Sequence, residues 1–311
     1  MNTYENMHNN INTGSSHENA HAQNEPDIYA GKEYLDSDKA SDAIARLIGS
    51  DEPFLIGRIG ETEQRTLWQY EKKKIWTRDF RVATHNICEN AGFFPMKIGQ
   101  ISRFCGLYKE VIREIDYFGA FFWDHEEFFL KEDDGLKFSF SASLLDPLKY
   151  ENGWSAALSG KKVLVVSPFS ESITAQYSDK RQELFPPESN ILPEFELKTV
   201  KAIQSIGGMG HKGYNTWFDA LEHMKKEIAS VEYDIALIGC GAYGLPLGAF
   251  VKSQGRQAVC VGGCLQLLFG IMGKRWEDKE YVKKYVNKAW IHPSESERPD
   301  NYAVVEGGCY W

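Results

Sequence analysis

Short, predominantly apolar runs, each closed by glycine or a polar turn, recur along this chain between stretches of helical period. They are Phe54-Leu55-Ile56, Lys162-Val-Leu-Val-Val-Ser167, Asp234-Ile-Ala-Leu-Ile238 and Gln257 to Val261. A strand that is apolar on both sides has no face to give to water, so it belongs inside a sheet covered on both faces. Helices are predicted from about Ser37 to Ile48, then over 61–70, 98–114, 215–229, 243–254 and 279–287, with a further strand over 117–122. The alternation predicts an α/β fold, a mainly parallel Rossmann-like sheet with helices on both faces, in a single domain over 38–311. With 311 residues of which 42% are hydrophobic, the chain can bury a core of that size. No repeat at a fixed period is visible, and the linker candidates are the Pro-rich 185–193 and the Gly-rich 207–213.

Residues 1–27 are rich in Asn, His, Ser and Glu and poor in apolar groups, and are expected to form a disordered polar tail. His8, His17 and His21 lie there, scattered as solvated histidines are, and no metal site is read from them. The formal charge of -9 argues against nucleic acid as the main partner, since neutralising phosphates needs a concentrated basic surface. No stretch approaches the roughly 18 apolar residues of a membrane span, and the start lacks a charged segment followed by an apolar one. Six cysteines form no CxxC pair, and Cys240 and Cys260 fall in apolar runs, so a reducing, cytoplasmic setting is expected.

Two segments carry the chemistry. In Gly57-Arg58-Ile59-Gly60-Glu61-Thr62-Glu63, a strand turns into a helix, the place where α/β sheets bind ligands. Glu61 and Glu63 in such a turn can converge on Mg²⁺ or Mn²⁺ completed by substrate phosphates and water, and Arg58 is placed to meet a phosphate. The plainer alternative is that the acids sit in a first helical turn and answer its dipole. In Ile235-Ala-Leu-Ile-Gly239-Cys-Gly241-Ala-Tyr243-Gly244, a strand runs into GxGxxG and a helix, matching the dinucleotide fingerprint literally. The next strand, however, ends in Gly262-Gly263 where a ribose-binding acid is expected. Close packing at a tight turn is the alternative reading of these glycines.

A third stretch, Gly262 to Trp276, contains Gln266 and ends Gly273-Lys274-Arg275-Trp276, where two cations could clamp a diphosphate and the indole could stack on a ring. The apolar closing segment Val304-Val-Glu306-Gly-Gly-Cys-Tyr310-Trp311 is expected to be tied down on the domain, with Glu306 near the site. His85, Asn86 and His292 are further polar candidates, although a lone histidine is more often structural. No Ser-His-acid or Cys-His arrangement stands out.

Together these motifs resemble the GT-D glycosyltransferases, a bacterial family of protein glycosylation and surface polysaccharide pathways. Arg58-Ile-Gly60-Glu61-Thr-Glu63 is similar to that family's Arg-aromatic-Gly-Asp-Gly-Glu segment with its D-x-E motif, with Glu in place of Asp, and 234–263 is similar to its later strand, glycine turn and helix. The resemblance implies a glycosyltransferase that moves a hexosyl group from a nucleotide diphosphate sugar such as a UDP-sugar to a glycan or glycoconjugate hydroxyl. It implies Glu61 and Glu63 as catalytic residues and ligands of Mn²⁺ or Mg²⁺. Arg58, Gly60, Gly239, Gly241, Tyr243, Gly262, Gly263, Gln266, Lys274 and Arg275 would bind substrate. Because Glu61 is one methylene longer than Asp, the metal is less firmly implied than the nucleotide sugar. A Rossmann-type oxidoreductase and a noncatalytic nucleotide-sugar binder remain the alternatives.

Overall fold

The computed structural model describes residues 26–130, 135–150, 153–208 and 210–311. Most of the predicted tail, residues 1–25, lies outside the described residues. The chain runs β1 (Ile28–Tyr29), β2 (Lys32–Leu35), α1 (Ser37–Gly49), β3 (Phe54–Gly57), α2 (Glu61–Glu71), α3 (Arg78–Asn90), α4 (Ile98–Ile112) and β4 (Tyr117–Ala120). It continues through α5 (Glu126–Leu130), β5 (Phe138–Ser141), β6 (Lys162–Ser167), α6 (Ser170–Leu184) and β7 (Glu196–Lys201). The last elements are α7 (Trp217–Ala229), β8 (Ile235–Ile238), α8 (Gly244–Ser253), β9 (Gln257–Cys260) and the single-turn α9 (Glu280–Lys283).

Among the described residues, nine strands join one sheet in the order β1-β2-β5-β4-β3-β9-β8-β6-β7. Every pairing is parallel except β1 with β2. The α/β class and the parallel sheet are as the apolar runs predict. The pleat sends neighbouring side chains to opposite faces, and so divides the apolar residues into two cores. Leu55, Phe118, Leu164, Val166, Ala236, Ile238 and Ala258 face one layer, with Leu67, Phe104, Trp217, Leu221 and Leu247 from the covering helices. Phe54, Ile56, Val163, Val165, Ile235, Leu237 and Val259 face the other, with Ile44 and Ile48 of α1, Ile173 of α6 and much of 265–290.

Local chemistry sets the helix ends. The Asp36 carboxylate accepts from the Lys39 N–H to start α1, whose Ala40, Ile44 and Ile48 recur every fourth residue on the buried face. Thr216 and Asp219 form a capping box at the start of α7. Two expectations need correcting. Ordered structure begins earlier than residue 38, because β1 and β2 form a hairpin that adds to β5, with Tyr29 and Tyr34 turned into the core. The helix predicted over 279–287 is only one turn, since Val282 is its one buried residue and the chain then turns through Asn287, whose carboxamide bonds the α6 carboxyl end.

Candidate active site at the carboxyl edge of β3 and β9

Strand order runs outward from β3 through β4 on one side and from β9 through β8 on the other, so the sheet changes direction between β3 and β9. The carboxyl ends of two such strands leave a crevice between diverging loops. Arg58 leaves the end of β3 and lays its guanidinium against Gly262 at the end of β9, so closely that a Cβ on Gly262 would collide with it. Gly262 has φ +79°, a conformation open to glycine, so its missing side chain both admits the backbone turn and leaves the space Arg58 fills.

Gly60 caps α2 without a side chain, and the carboxylate of Glu63 folds back into the space that a Gly60 Cβ would take. Thr62 Oγ1 donates to Glu63 Oε2 at 2.8 Å, and Glu63 is buried. Burial pushes the Glu63 carboxyl above the usual range, against donation from Thr62 and its own backbone N–H and the attraction of Arg58. Glu61 goes the other way. It is exposed and pairs with Arg65 Nε at 3.5 Å, one turn on. Residues i and i+2 on a helix point about 200° apart, which separates the two carboxylates. Among the described residues no three His, Cys, Asp or Glu side chains gather as a metal site. As placed, Glu61 and Glu63 do not present the converging pair a shared cation needs.

A third loop reaches the crevice. Phe121 and Trp123, after β4, stack at 4.4 Å between centroids with planes 10° apart, and the Arg58 guanidinium lies 5.2 Å from the Phe121 centroid. This loop is held from beneath by Glu126, which is completely buried. Its carboxylate accepts from the Tyr29 hydroxyl at 2.8 Å, from Phe121 N–H at 3.0 Å and from Phe122 N–H at 2.8 Å. Phe122 sits at φ +60°, unfavourable for a bulky residue, and that carboxylate fixes its N–H. Burial lifts the Glu126 carboxyl to about 7 despite these donors.

The closing segment forms a further wall. Tyr310 lies against Gly263, where a Cβ would strike its ring, and Gln266 Nε2 donates to the Tyr310 carbonyl at 3.1 Å. Arg275 pairs with Glu306 and donates to the Tyr310 hydroxyl at 3.2 Å. Gln266 is buried and Arg275 is committed to this clamp, so both act on the 302–311 segment. Glu306 serves the same clamp, and Lys274 is exposed. The predicted tying-down of the closing segment is therefore present.

The glycine turn after β8 is filled by protein. A Cβ on Gly239 would come 2.5 Å from the Gly262 carbonyl, and one on Gly241 3.2 Å from the Ala91 carbonyl. Residues 241–243 form a 3-10 turn before α8, and Ala242 N–H donates to Ala91 O at 3.3 Å. Tyr243, expected at the site, is in the core, stacked on Trp217 at 4.8 Å with its hydroxyl 3.1 Å from Ser205 Oγ. His85 pairs with Glu89, and the exposed His292 lies near Glu277. Burial pushes the thiols of Cys260 and Cys264, near Arg58, up to about 12.

The structure thus brings together Arg58, Gly60, Glu63, Gly262 and Gly263. Phe121, Trp123 and Glu126 were not read from the sequence. The signal available was the aromatic and acidic run Phe121-Phe-Trp-Asp-His-Glu126 directly after an apolar strand.

Two solved structures are similar to this chain. One, described as "The highly conserved domain of unknown function 1792 has a distinct glycosyltransferase fold", is 10% identical over 88% of this chain and 90% of that one, with a TM-score of 0.47. The other, "Selenomethionine substituted structure of domain of unknown function 1792 (DUF1792)", is 9% identical over 86% and 93%, with a TM-score of 0.45. A likeness of this degree assigns no residue a role. No family model and no curated protein matches the chain.

Proposed function

We propose that the chain is a glycosyltransferase that uses a nucleotide diphosphate sugar and transfers the sugar to a hydroxyl of a glycan or glycoconjugate, as in bacterial surface polysaccharide or protein glycosylation. The observation that supports it most is that the carboxyl ends of β3 and β9 bring the Arg58 guanidinium, lying on the backbone of Gly262, within electrostatic reach of the buried Glu63 carboxylate. A guanidinium matches the oxygens of a diphosphate in a bidentate manner.

In this reading the acceptor oxygen attacks the anomeric carbon as the bond from that carbon to the phosphate oxygen breaks. The electron pair goes to the diphosphate, where Arg58 stabilises the developing charge. The proton of the acceptor hydroxyl passes to Glu63, whose raised proton affinity suits a general base better than an ordinary exposed carboxylate. The half-buried Phe121 and Trp123 rings offer a flat face beside Arg58 for the nucleoside or the sugar. Glu61, exposed at the mouth, is available to the acceptor side.

The test is a calorimetric titration with UDP, GDP and their sugar conjugates, followed by a transfer assay on glycan acceptors. Micromolar binding of one nucleoside diphosphate that Arg58→Ala weakens is expected, and no binding of any of them would overturn the reading. The same titration with Mn²⁺ and with EDTA is expected to give equal affinities. A gain with Mn²⁺ would mean that Glu61 leaves Arg65 and swings onto a bridging ion.

A further inference from the structure

The turn between α2 and α3 is unlike the rest of the surface. Between Lys72 and Arg81 stand five cations, Lys72, Lys73, Lys74, Arg78 and Arg81, against one acid, Asp79, in a chain whose formal charge is -9. Among the described residues the side chains of Lys73, Lys74, Arg78 and Arg81 make no ion pair, while neighbouring Arg65 and Lys109 are paired with Glu61 and Glu71. In their midst Trp76 is 88% exposed, the most exposed of the large apolar side chains.

This exposure is built. Lys73 adopts φ +53°, Lys74 N–H bonds the Gln69 carbonyl at 3.0 Å, and Thr77 Oγ1 donates to the Lys74 carbonyl at 2.7 Å while accepting from Phe80 N–H at 3.2 Å. Ile75 packs against the core, so the next residue, Trp76, is turned outward. Val82, 38% exposed, follows one turn into α3. Lys72 lies over the Trp68 ring at 4.3 Å and the half-exposed Phe128 ring at 5.0 Å, which extends the mixed cationic and aromatic surface.

We propose that the Lys72–Arg81 turn docks on an anionic phospholipid surface, with Trp76 entering the headgroup layer and Lys73, Lys74, Arg78 and Arg81 meeting lipid phosphates. An acidic protein is repelled by an anionic bilayer except through a face of opposite sign, and this turn supplies one. An indole is favoured at the boundary between headgroups and acyl chains, where its ring is apolar and its N–H still finds water or phosphate. A single strand of nucleic acid stacks successive bases on several aromatic rings along a basic groove, whereas this turn presents one protruding indole among its cations, the combination that entry into a headgroup layer uses. The inference is independent of the proposed transferase activity.

The experiment is co-sedimentation of the full chain with vesicles of phosphatidylcholine alone, and of phosphatidylcholine with about a third phosphatidylglycerol. Binding to the anionic vesicles only is expected, falling about tenfold as NaCl rises from about 50 to about 300 mM. Trp76→Ala should weaken binding about fivefold or more, and Lys73→Glu with Lys74→Glu should abolish it. All these positions are exposed, so unchanged melting curves are expected to confirm folding. No binding to anionic vesicles, or binding unchanged in both variants, overturns the proposal. Retention of an RNA oligonucleotide at the same salt, without vesicle binding, reassigns the turn to nucleic acid.

Discussion

Two turns in this protein share a plan, strand, glycines, helix, and do opposite things. After β3, Arg58-Ile-Gly60-Glu61-Thr-Glu63 leaves polar groups at the crevice. After β8, Gly239-Cys-Gly241-Ala-Tyr243-Gly244 has its glycine faces pressed against the Gly262 and Ala91 carbonyls and its tyrosine in the core. The difference lies in what approaches each glycine. At Gly262, and at Gly60 through Glu63, the approaching group is a charged side chain; at Gly239 and Gly241 it is backbone. A glycine motif therefore marks close approach without saying whether the visitor is a ligand or the protein itself.

The comparison can be broken in several ways. The largest effect is expected from Glu63→Gln, which keeps the shape but removes the base: transfer should fall about a hundredfold to ten-thousandfold with folding intact, measured as kcat against the melting curve. Wild-type turnover in that variant would strip the first turn of its chemistry. The brace under the Phe121 loop comes next. Glu126 titrates at about 7 in the folded protein against 4.5 for the free group, so the native state holds its proton more tightly than the unfolded one. Its contribution is fully present below pH 4.5 and is lost as pH rises through about 7, by no more than about 3 kcal/mol. Denaturant melts of wild type and Glu126→Gln across that range should show the slope in the first and a flatter line in the second, and parallel lines would remove Glu126 from the account.

Arg58→Ala should weaken nucleoside diphosphate binding about tenfold to a hundredfold, the worth of one charge-assisted contact, with Arg58→Lys between the two. Binding unaffected by either change would leave the open turn without its anion site. The smallest effect belongs to the closed turn. Gly239→Ala pushes a methyl against the Gly262 carbonyl and should cost about 1–2 kcal/mol of stability. The folded fraction should bind nucleotide nearly as well as before, and a variant of unchanged stability that no longer binds would make this turn the ligand site.

Much of the frame was legible because burial on both faces writes continuous apolar strands. Phe54–Gly57, Lys162–Ser167, Ile235–Ile238 and Gln257–Cys260 occupy the middle of the sheet, and each is visible as a run. Edge elements carry no such mark. In β7, Glu196-Leu-Lys-Thr-Val-Lys201, only Val200 is buried, and β2 buries only Tyr34, because an outer strand needs fewer apolar contacts. The helix α6 was hidden for a related reason, its buried face being largely Ser170, Ser172 and Gln176. Ser172 and Gln176 find partners far along the chain, in the Glu297 carboxylate and in the carbonyls of Gly270 and Ala289.

By itself the sequence determined the class of fold, the order of its central elements and the strand, glycine and helix turn after β3. Those follow from local period and from residues a few positions apart. Helix geometry parts Glu61 from Glu63, while tertiary structure alone decided that Tyr243 enters the core and that Arg275 clamps the closing segment. It also set Phe121 and Trp123, held by the distant Tyr29–Glu126 pair, beside Arg58. The physical reason is that a side chain's role depends on what occupies the space around it. Here that space is often filled by residues far along the chain, as at Gly262 by Arg58, at Gly241 by Ala91 and at Glu126 by Tyr29, whose approach no local pattern encodes.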